Sequence, residues 1–100
     1  MAKKFVIHNG TLILGNVELH KDLVRGVDKK EIAGGGFWYK DHDTNTMYFY
    51  GSSMDFGTVT REEFDKARKQ LSLYQYRIVF SEKEYMKDVL IEEQKNESHE

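Results

Sequence analysis

The hydrophobic pattern at the start of the chain predicts two strands, a tight turn and a short helix. Lys3–His8 and Thr11–Leu14 are apolar on both alternating faces, which is typical of strands that are covered on two sides. The Asn-Gly pair at 9–10 joins them and favours a two-residue hairpin turn, because both residues accept positive φ. The spacing of Leu19 and Leu23 then allows a short helix.

The middle of the chain, from residue 34 to residue 57, predicts a hairpin between two glycine-bearing loops. The glycines Gly34, Gly35 and Gly36 indicate a flexible loop, and aromatic runs on either side of a polar turn at 43–45 indicate the two strands. The segment Gly51–Gly57 indicates a second loop. Because antiparallel strands return the chain to its starting end, we expect the two loops side by side.

Two capping boxes predict the helices of the second half. Thr60 with Glu63 indicates the start of one helix, and Ser81 with Glu84 indicates the start of the other. A strand is expected between them at Tyr74–Phe80. The residues expected to face the core are Phe64, Ala67 and Leu71 in the first helix and Tyr85, Met86, Val89 and Leu90 in the second.

The predicted order is strand, strand, short helix, strand, strand, helix, strand, helix. Hairpins combined with helices, and strands apolar on both faces, predict an α+β fold with a single mixed β-sheet flanked by helices. The length of 100 residues fits one domain. We expect that domain over residues 1–91 and a polar, frayed tail over residues 92–100.

Composition narrows the possible functions. A net charge of −2 gives no basic excess, so a nucleic-acid partner is not expected. The chain has no cysteine, which excludes disulfides and thiolate metal sites. No apolar run is long enough to span a membrane, and the first residues lack the apolar core of a signal peptide, so a cytoplasmic protein is expected. The turn Asp41–Asn45 resembles half of a calcium loop, but Thr46 replaces its glycine.

Candidate chemistry centres on His20, one of four histidines. No histidine pair has the spacing of a zinc motif, so no metal is expected. Backbone N–H groups near the start of the short helix favour a phosphate, and an imidazole there can attack phosphorus or activate water. Lys4 can present an ammonium to an anion, and Gly51–Gly57 offers consecutive amides. Each feature alone also has a structural interpretation: a satisfied histidine, a solubilising charge and a strand-to-helix connection.

Taken together, these segments resemble the phosphohistidine phosphatase family, also called the Janus/Ocnus family. The matching segments are Lys4 before an apolar strand, the His-x-Asp-Leu pattern within Glu18–Leu23, the triple glycine Gly34–Gly36, and Tyr50–Gly57. They cover roughly residues 3 to 80 and occur in the family's order. The resemblance implies the family's fold and a phosphatase that acts without metal or cofactor on phosphohistidine or a related phosphoramidate.

The resemblance also implies roles for individual residues. His20 matches the catalytic histidine, as nucleophile or general base, and Lys4 matches the substrate-binding lysine. Ser53 matches the loop serine at the phosphate. The remaining residues expected to bind substrate are the loop amides of Ser52, Met54 and Asp55 and the glycines Gly34, Gly35 and Gly36. The implied partner is a phosphorylated protein or a small phosphoramidate.

Two positions depart from the family pattern. Phe37 stands where arginine is frequent, and Asp55 stands where a small residue is usual. Asp55 either faces the pocket, where its charge would repel a phosphate, or points outward and caps the next turn. The alternative function is therefore a non-catalytic binding module on the same scaffold, with Phe37–Tyr39 as part of a contact surface.

Overall fold

In a computed structural model, residues 1–69 and 75–97 form an α+β fold built on a mixed sheet, as predicted. Five strands are ordered β2-β1-β3-β4-β5, with β4 and β5 parallel and the other pairs antiparallel. The strands are β1 (Ala2–His8), β2 (Thr11–Val17), β3 (Ile32–Asp41), β4 (Thr46–Tyr50) and β5 (Arg77–Phe80), and the helices are α1 (Arg61–Arg68) and α2 (Met86–Glu97). Short 3₁₀ helices span His20–Leu23 and Lys29–Glu31.

The first hairpin forms as its sequence predicts. Asn9 and Gly10 have φ of 49° and 79°, so both turn residues take the left-handed conformation that this dipeptide favours. The partner strand β2 continues to Val17 in unbroken register, past the predicted end at Leu14. The predicted short helix is a 3₁₀ helix, and we call His20–Leu23 the His20 turn.

The triple glycine lies inside β3, so the prediction of a flexible loop at this point is wrong. Gly34, Gly35 and Gly36 pair with Ile7, Val6 and Phe5 of β1, respectively. An added Cβ at Gly36 would lie 2.3 Å from the carbonyl oxygen of Tyr50. A run of glycines therefore marks close backbone packing here. The expected adjacency of the two glycine segments is present, because the Gly35 N–H donates to the Gly57 carbonyl at 3.1 Å.

One side of the sheet, which we call the closed face, is covered by α1. The predicted capping box is present: Thr60 Oγ1 accepts from the Glu63 N–H at 3.1 Å, and Glu63 Oε1 accepts from the Thr60 N–H at 3.0 Å. Phe64 is fully buried, with its ring centroid 4.9 Å from that of Phe49 and 4.8 Å from that of Phe80. Such aromatic burial dominates a small core. The predicted core residue Leu71 lies outside the described residues, as does Tyr74.

The opposite side, which we call the cleft face, carries the His20 turn and α2 over different strands. Val89 of α2 is fully buried and packs with Tyr48 and Val79. Nearer β1, Val6 packs with Val24, just after the His20 turn. The two covers therefore leave an uncovered strip of sheet between them.

The second capping box is not formed, and α2 begins at Met86. Ser81 Oγ instead accepts from the Lys83 N–H at 3.1 Å, a local turn that competes with helix formation. Two residues that were expected to face inward, Tyr85 and Leu90, are exposed.

At its other end α2 extends to Glu97, through most of the segment that was expected to be a frayed tail. Glu93 Oε2 accepts from Arg77 Nη1 at 3.2 Å, an ion pair that links this part of the helix to β5. The helix continues into a segment whose sequence shows no apolar periodicity.

Candidate functional site

A cleft of about 270 Å³ opens on the cleft face between the His20 turn and the loop Gly51–Gly57, which we call the 51–57 loop. Phe37 forms its floor. Its lining residues are Lys4, Leu19, His20, Phe37, Ser52, Met54 and Asp55. Five of the residues expected to bind or react with substrate, from three separate segments of the chain, thus surround one cavity.

His20 is held in one orientation. Its side chain is 5% exposed, and Nε2 lies 2.7 Å from the carbonyl oxygen of Gly36. A carbonyl oxygen can only accept a hydrogen bond, so Nε2 carries the proton and Nδ1 has the lone pair. Nδ1 has no hydrogen-bond partner among the described residues, and every fully buried polar side-chain atom there has one. Nδ1 therefore keeps solvent-accessible surface, and since His20 lines the cleft we infer that Nδ1 opens towards it.

Two neighbours in β3 shape the pocket for the imidazole. The Phe37 ring meets it edge to face, with centroids 5.5 Å apart. An added Cβ at Gly35 would lie 3.1 Å from His20 Cδ2, so the missing side chain makes room for the ring. Gly35 and Gly36 therefore support the site by seating His20, and neither they nor Gly34 line the cleft.

The surroundings of His20 lower its pKa below the ordinary value of 6.5. Burial is the largest cause, because it disfavours the charged imidazolium. The hydrogen bond to Gly36 acts in the opposite direction. Lys4 lowers the pKa further and Asp55 raises it. The net result is an imidazole that is neutral at neutral pH, with an available lone pair.

Lys4 supplies the positive charge of the cleft. Its Nζ donates a hydrogen bond to the carbonyl oxygen of Glu18 and lies 6.0 Å from the centroid of the Phe37 ring. An ammonium has three donors, so this anchoring leaves others for a ligand. Lys4 pairs with Phe37 across β1 and β3, a register that places both side chains on the cleft face.

The 51–57 loop is organised around Ser53. The Ser53 hydroxyl is buried and accepts hydrogen bonds from the N–H groups of Asp55 and Phe56 at 3.2 and 3.1 Å. Backbone bonds also join Ser53 to Gly57 in both directions. Ser53 therefore holds the loop in shape and does not line the cleft. Within the described residues, the loop amides without a partner are those of Ser52 and Met54.

Asp55 faces the cleft, which resolves the alternatives that the sequence left open. Asp55 is one of the residues that line the cavity, and its carboxylate is close enough to His20 to raise the pKa of the imidazole. The carboxylate accepts no hydrogen bond from any described residue. Nearby, Ser52 Oγ donates to Glu84 Oε2 at 3.2 Å, which links the loop to the segment before α2.

Sequence reasoning did not anticipate three contributions to the site. The carbonyl of Gly36 orients His20, Phe37 forms the floor, and Leu19 forms part of the rim. The position of Lys4 opposite Phe37 indicates that both side chains lie on the same face of the sheet. This register can be used only once β1 is known to pair with β3.

Comparisons with known proteins add no assignment: no family model matches the chain, and no curated protein matches it. Across residues 1–69 and 75–97, no group of three or more His, Asp or Glu side chains is arranged to hold a metal ion. Within the same ranges, neither helix has the length and apolar character needed to cross a membrane.

Proposed function

We propose that this protein is a phosphatase-like enzyme that hydrolyses phosphohistidine or a related phosphoramidate, with His20 as its reactive group. The observation that carries the proposal is the fixed imidazole, whose Nε2 proton is donated to Gly36 and whose Nδ1 lone pair is open to a cleft that also holds Lys4. Fixing the tautomer and the ring plane in advance lowers the entropic cost of reaching the reactive geometry.

Two routes use the same lone pair. As a general base, Nδ1 takes a proton from water while the water oxygen bonds to phosphorus and the P–N bond breaks. As a nucleophile, Nδ1 bonds to phosphorus while the substrate's P–N bond breaks and its nitrogen leaves with the electron pair and takes up a proton; water then breaks the new Nδ1–P bond in a second step and releases phosphate. Both routes place positive charge on the ring, and the Gly36 carbonyl at 2.7 Å stabilises that charge.

Lys4 and the loop would bind the phosphoryl oxygens. The ammonium neutralises part of the charge, and the free N–H groups of Ser52 and Met54 add neutral donors. The nitrogen of the P–N bond leaves more easily when it is protonated. Lys4 and the loop amides therefore have two tasks, to position the phosphoryl group and to stabilise its charge. The proposal requires no metal ligand from the chain.

Hydrolysis of a phosphohistidine peptide by the wild type and by His20→Ala tests the proposal. We expect the rate to fall by about 10²- to 10⁴-fold in the variant, the usual contribution of a positioned acid–base group. His42→Ala removes an exposed histidine of the β3–β4 turn and is the matched control, with an expected rate equal to wild type. Equal rates for wild type and His20→Ala would refute the proposal.

A non-catalytic binding module is the second candidate, and Asp55 is the observation that favours it. A carboxylate in the cleft opposes a phosphate, and Ser53 already occupies the amides of Asp55 and Phe56. Titration with inorganic phosphate, followed by amide NMR, separates the two functions. Localised shifts at His20, Ser52 and Met54 support the enzyme, whereas the binding module predicts none there.

A further inference from the structure

A site for a bare phosphate is not expected to contain an anion. The cleft nevertheless contains the carboxylate of Asp55. It shares the lining of one cavity with Lys4 and His20. Its backbone N–H donates to the buried Ser53 hydroxyl at 3.2 Å, which fixes the base of the side chain to the most tightly bonded part of the loop. The carboxylate itself accepts no hydrogen bond from the described residues, so its acceptors are free for a ligand.

The two opposite charges of the cleft are not paired with each other. No ion pair within 4.0 Å joins Lys4 to Asp55, and the ammonium is directed to the Glu18 carbonyl. The cavity thus presents a cation and an anion as separate recognition points, with the imidazole of His20 exposed to the same space. A ligand that matches this pattern carries a negative and a positive group a short distance apart.

Given the phosphoramidate hydrolysis proposed above, on which this inference rests, we infer that Asp55 recognises the cationic leaving group and that the substrate is an N-phosphorylated guanidinium of the phosphoarginine class. A guanidinium is planar, stays protonated and offers parallel N–H donors that match a carboxylate. The phosphoryl group of the same molecule would meet Lys4. A phosphate monoester has no such cation and would be repelled by Asp55.

The apolar residues of the cleft fit the rest of such a substrate. Leu19 and Met54 line the cavity; Leu19 is 43% exposed and Met54 is fully exposed. The methylene stem of an arginine side chain packs on apolar surface while its charged head reaches a polar partner. These two side chains therefore offer a rim for the stem, with Asp55 beside the head.

The overall reaction adds water across the P–N bond. The water oxygen ends on phosphorus, and the electron pair of the broken P–N bond stays with the guanidino nitrogen. That nitrogen takes up one proton, so that the products are a guanidinium and hydrogen phosphate. Asp55 exchanges no proton in this scheme; it holds the cation before and after the bond breaks.

Affinities of wild type and Asp55→Asn for two probes, N-phospho-L-arginine and inorganic phosphate, test the inference. We expect Asp55→Asn to bind phosphoarginine about tenfold more weakly, as a lost charge-assisted hydrogen bond implies. The same variant should bind phosphate more tightly, because a repelling charge is gone. Asp65→Asn, which makes the same charge change on the exposed surface of α1, is the control and should move neither affinity.

Opposite changes for the two probes would support the role of Asp55, because a merely distorted cleft would weaken both. Changes of the same sign, unchanged affinities, or an equal effect of Asp65→Asn would overturn it.

Measurements of turnover distinguish the failure of this inference from the failure of the proposed function. Hydrolysis of phosphohistidine with no change of probe preference in Asp55→Asn would overturn the inference alone. Opposite changes in affinity without any hydrolysis would overturn the proposed enzyme and leave the recognition by Asp55 standing.

Discussion

The two faces of the sheet are formed by the same five strands, but they differ in how completely other elements cover them. On the closed face, α1 packs Phe64 into rings from β1, β4 and β5, and the buried side chains of the described residues form one continuous cluster. On the cleft face, the buried residues that the structure describes divide into two smaller clusters, one under the His20 turn and one under α2. The gap between those clusters is where His20, Lys4 and Asp55 meet. The largest buried cluster and the candidate site thus lie on opposite faces of a single layer of strands.

The largest expected effect is on the closed face. Phe64→Ala removes a fully buried ring and should lower the free energy of unfolding by about 3–5 kcal/mol. Phe37→Ala is the matched change on the cleft face, where the ring is only half-buried, and should cost clearly less. Urea denaturation of both variants measures the difference. Equal losses would mean that the two faces contribute equally to stability.

A smaller effect is expected where the sheet supports His20. An Ala at Gly36 would place its Cβ 2.3 Å from the Tyr50 carbonyl oxygen, so β3 and β4 must separate. We expect Gly36→Ala to destabilise the protein by about 1–3 kcal/mol, the usual cost of overpacking, and to displace the acceptor of the His20 hydrogen bond. Thermal unfolding together with the phosphohistidine assay measures both.

Gly26→Ala is the control for that prediction. It has φ of +76° and open space around its Cβ position, so an alanine there is strained without any clash. Its cost should be about 1 kcal/mol, with activity retained. A Gly36→Ala protein as active as Gly26→Ala would show that the Gly36 carbonyl does not position His20.

The smallest effect concerns pH. The folded pKa of His20 lies below its ordinary value of 6.5, so the unfolded chain binds more protons in the interval between the two pKa values. Stability should therefore rise with pH through that interval and become level above 6.5, and activity should rise with deprotonation of His20. Urea unfolding over this range should show a reduced slope in His20→Asn. An unchanged slope in His20→Asn would contradict the lowered pKa.

Local signals in the sequence predicted the fold well where one short segment decides the outcome. The turn at Asn9 and Gly10 and the capping box of Thr60 and Glu63 each depend on a few neighbouring residues, and both form as predicted. The three glycines of β3 are different. Glycine runs occur both in flexible loops and where backbones approach closely, and only the pairing with β1 and β4 decides between them.

The same limit applies to the candidate site. Lys4 and His20 were expected near one another, and the structure brings them to one cleft. The position of Ser53 was harder to predict, because a serine hydroxyl can bind a ligand or its own loop, and here it accepts from the amides two and three residues on. The direction of Asp55 depends on that loop geometry, which no spacing rule specifies.

The single tryptophan is an intrinsic fluorescent probe of one face of the sheet. Trp38 lies on β3 immediately after Phe37, so its ring points to the opposite side of the sheet from the cleft. Its indole N–H donates to the Lys4 carbonyl at 3.1 Å, and the ring packs against the cluster around Phe64. Tryptophan emission should therefore follow the unfolding of the closed face, because the ring lies on the side of the sheet away from the cleft. Unfolding can then be followed in the unlabelled protein both with and without a ligand in the cleft.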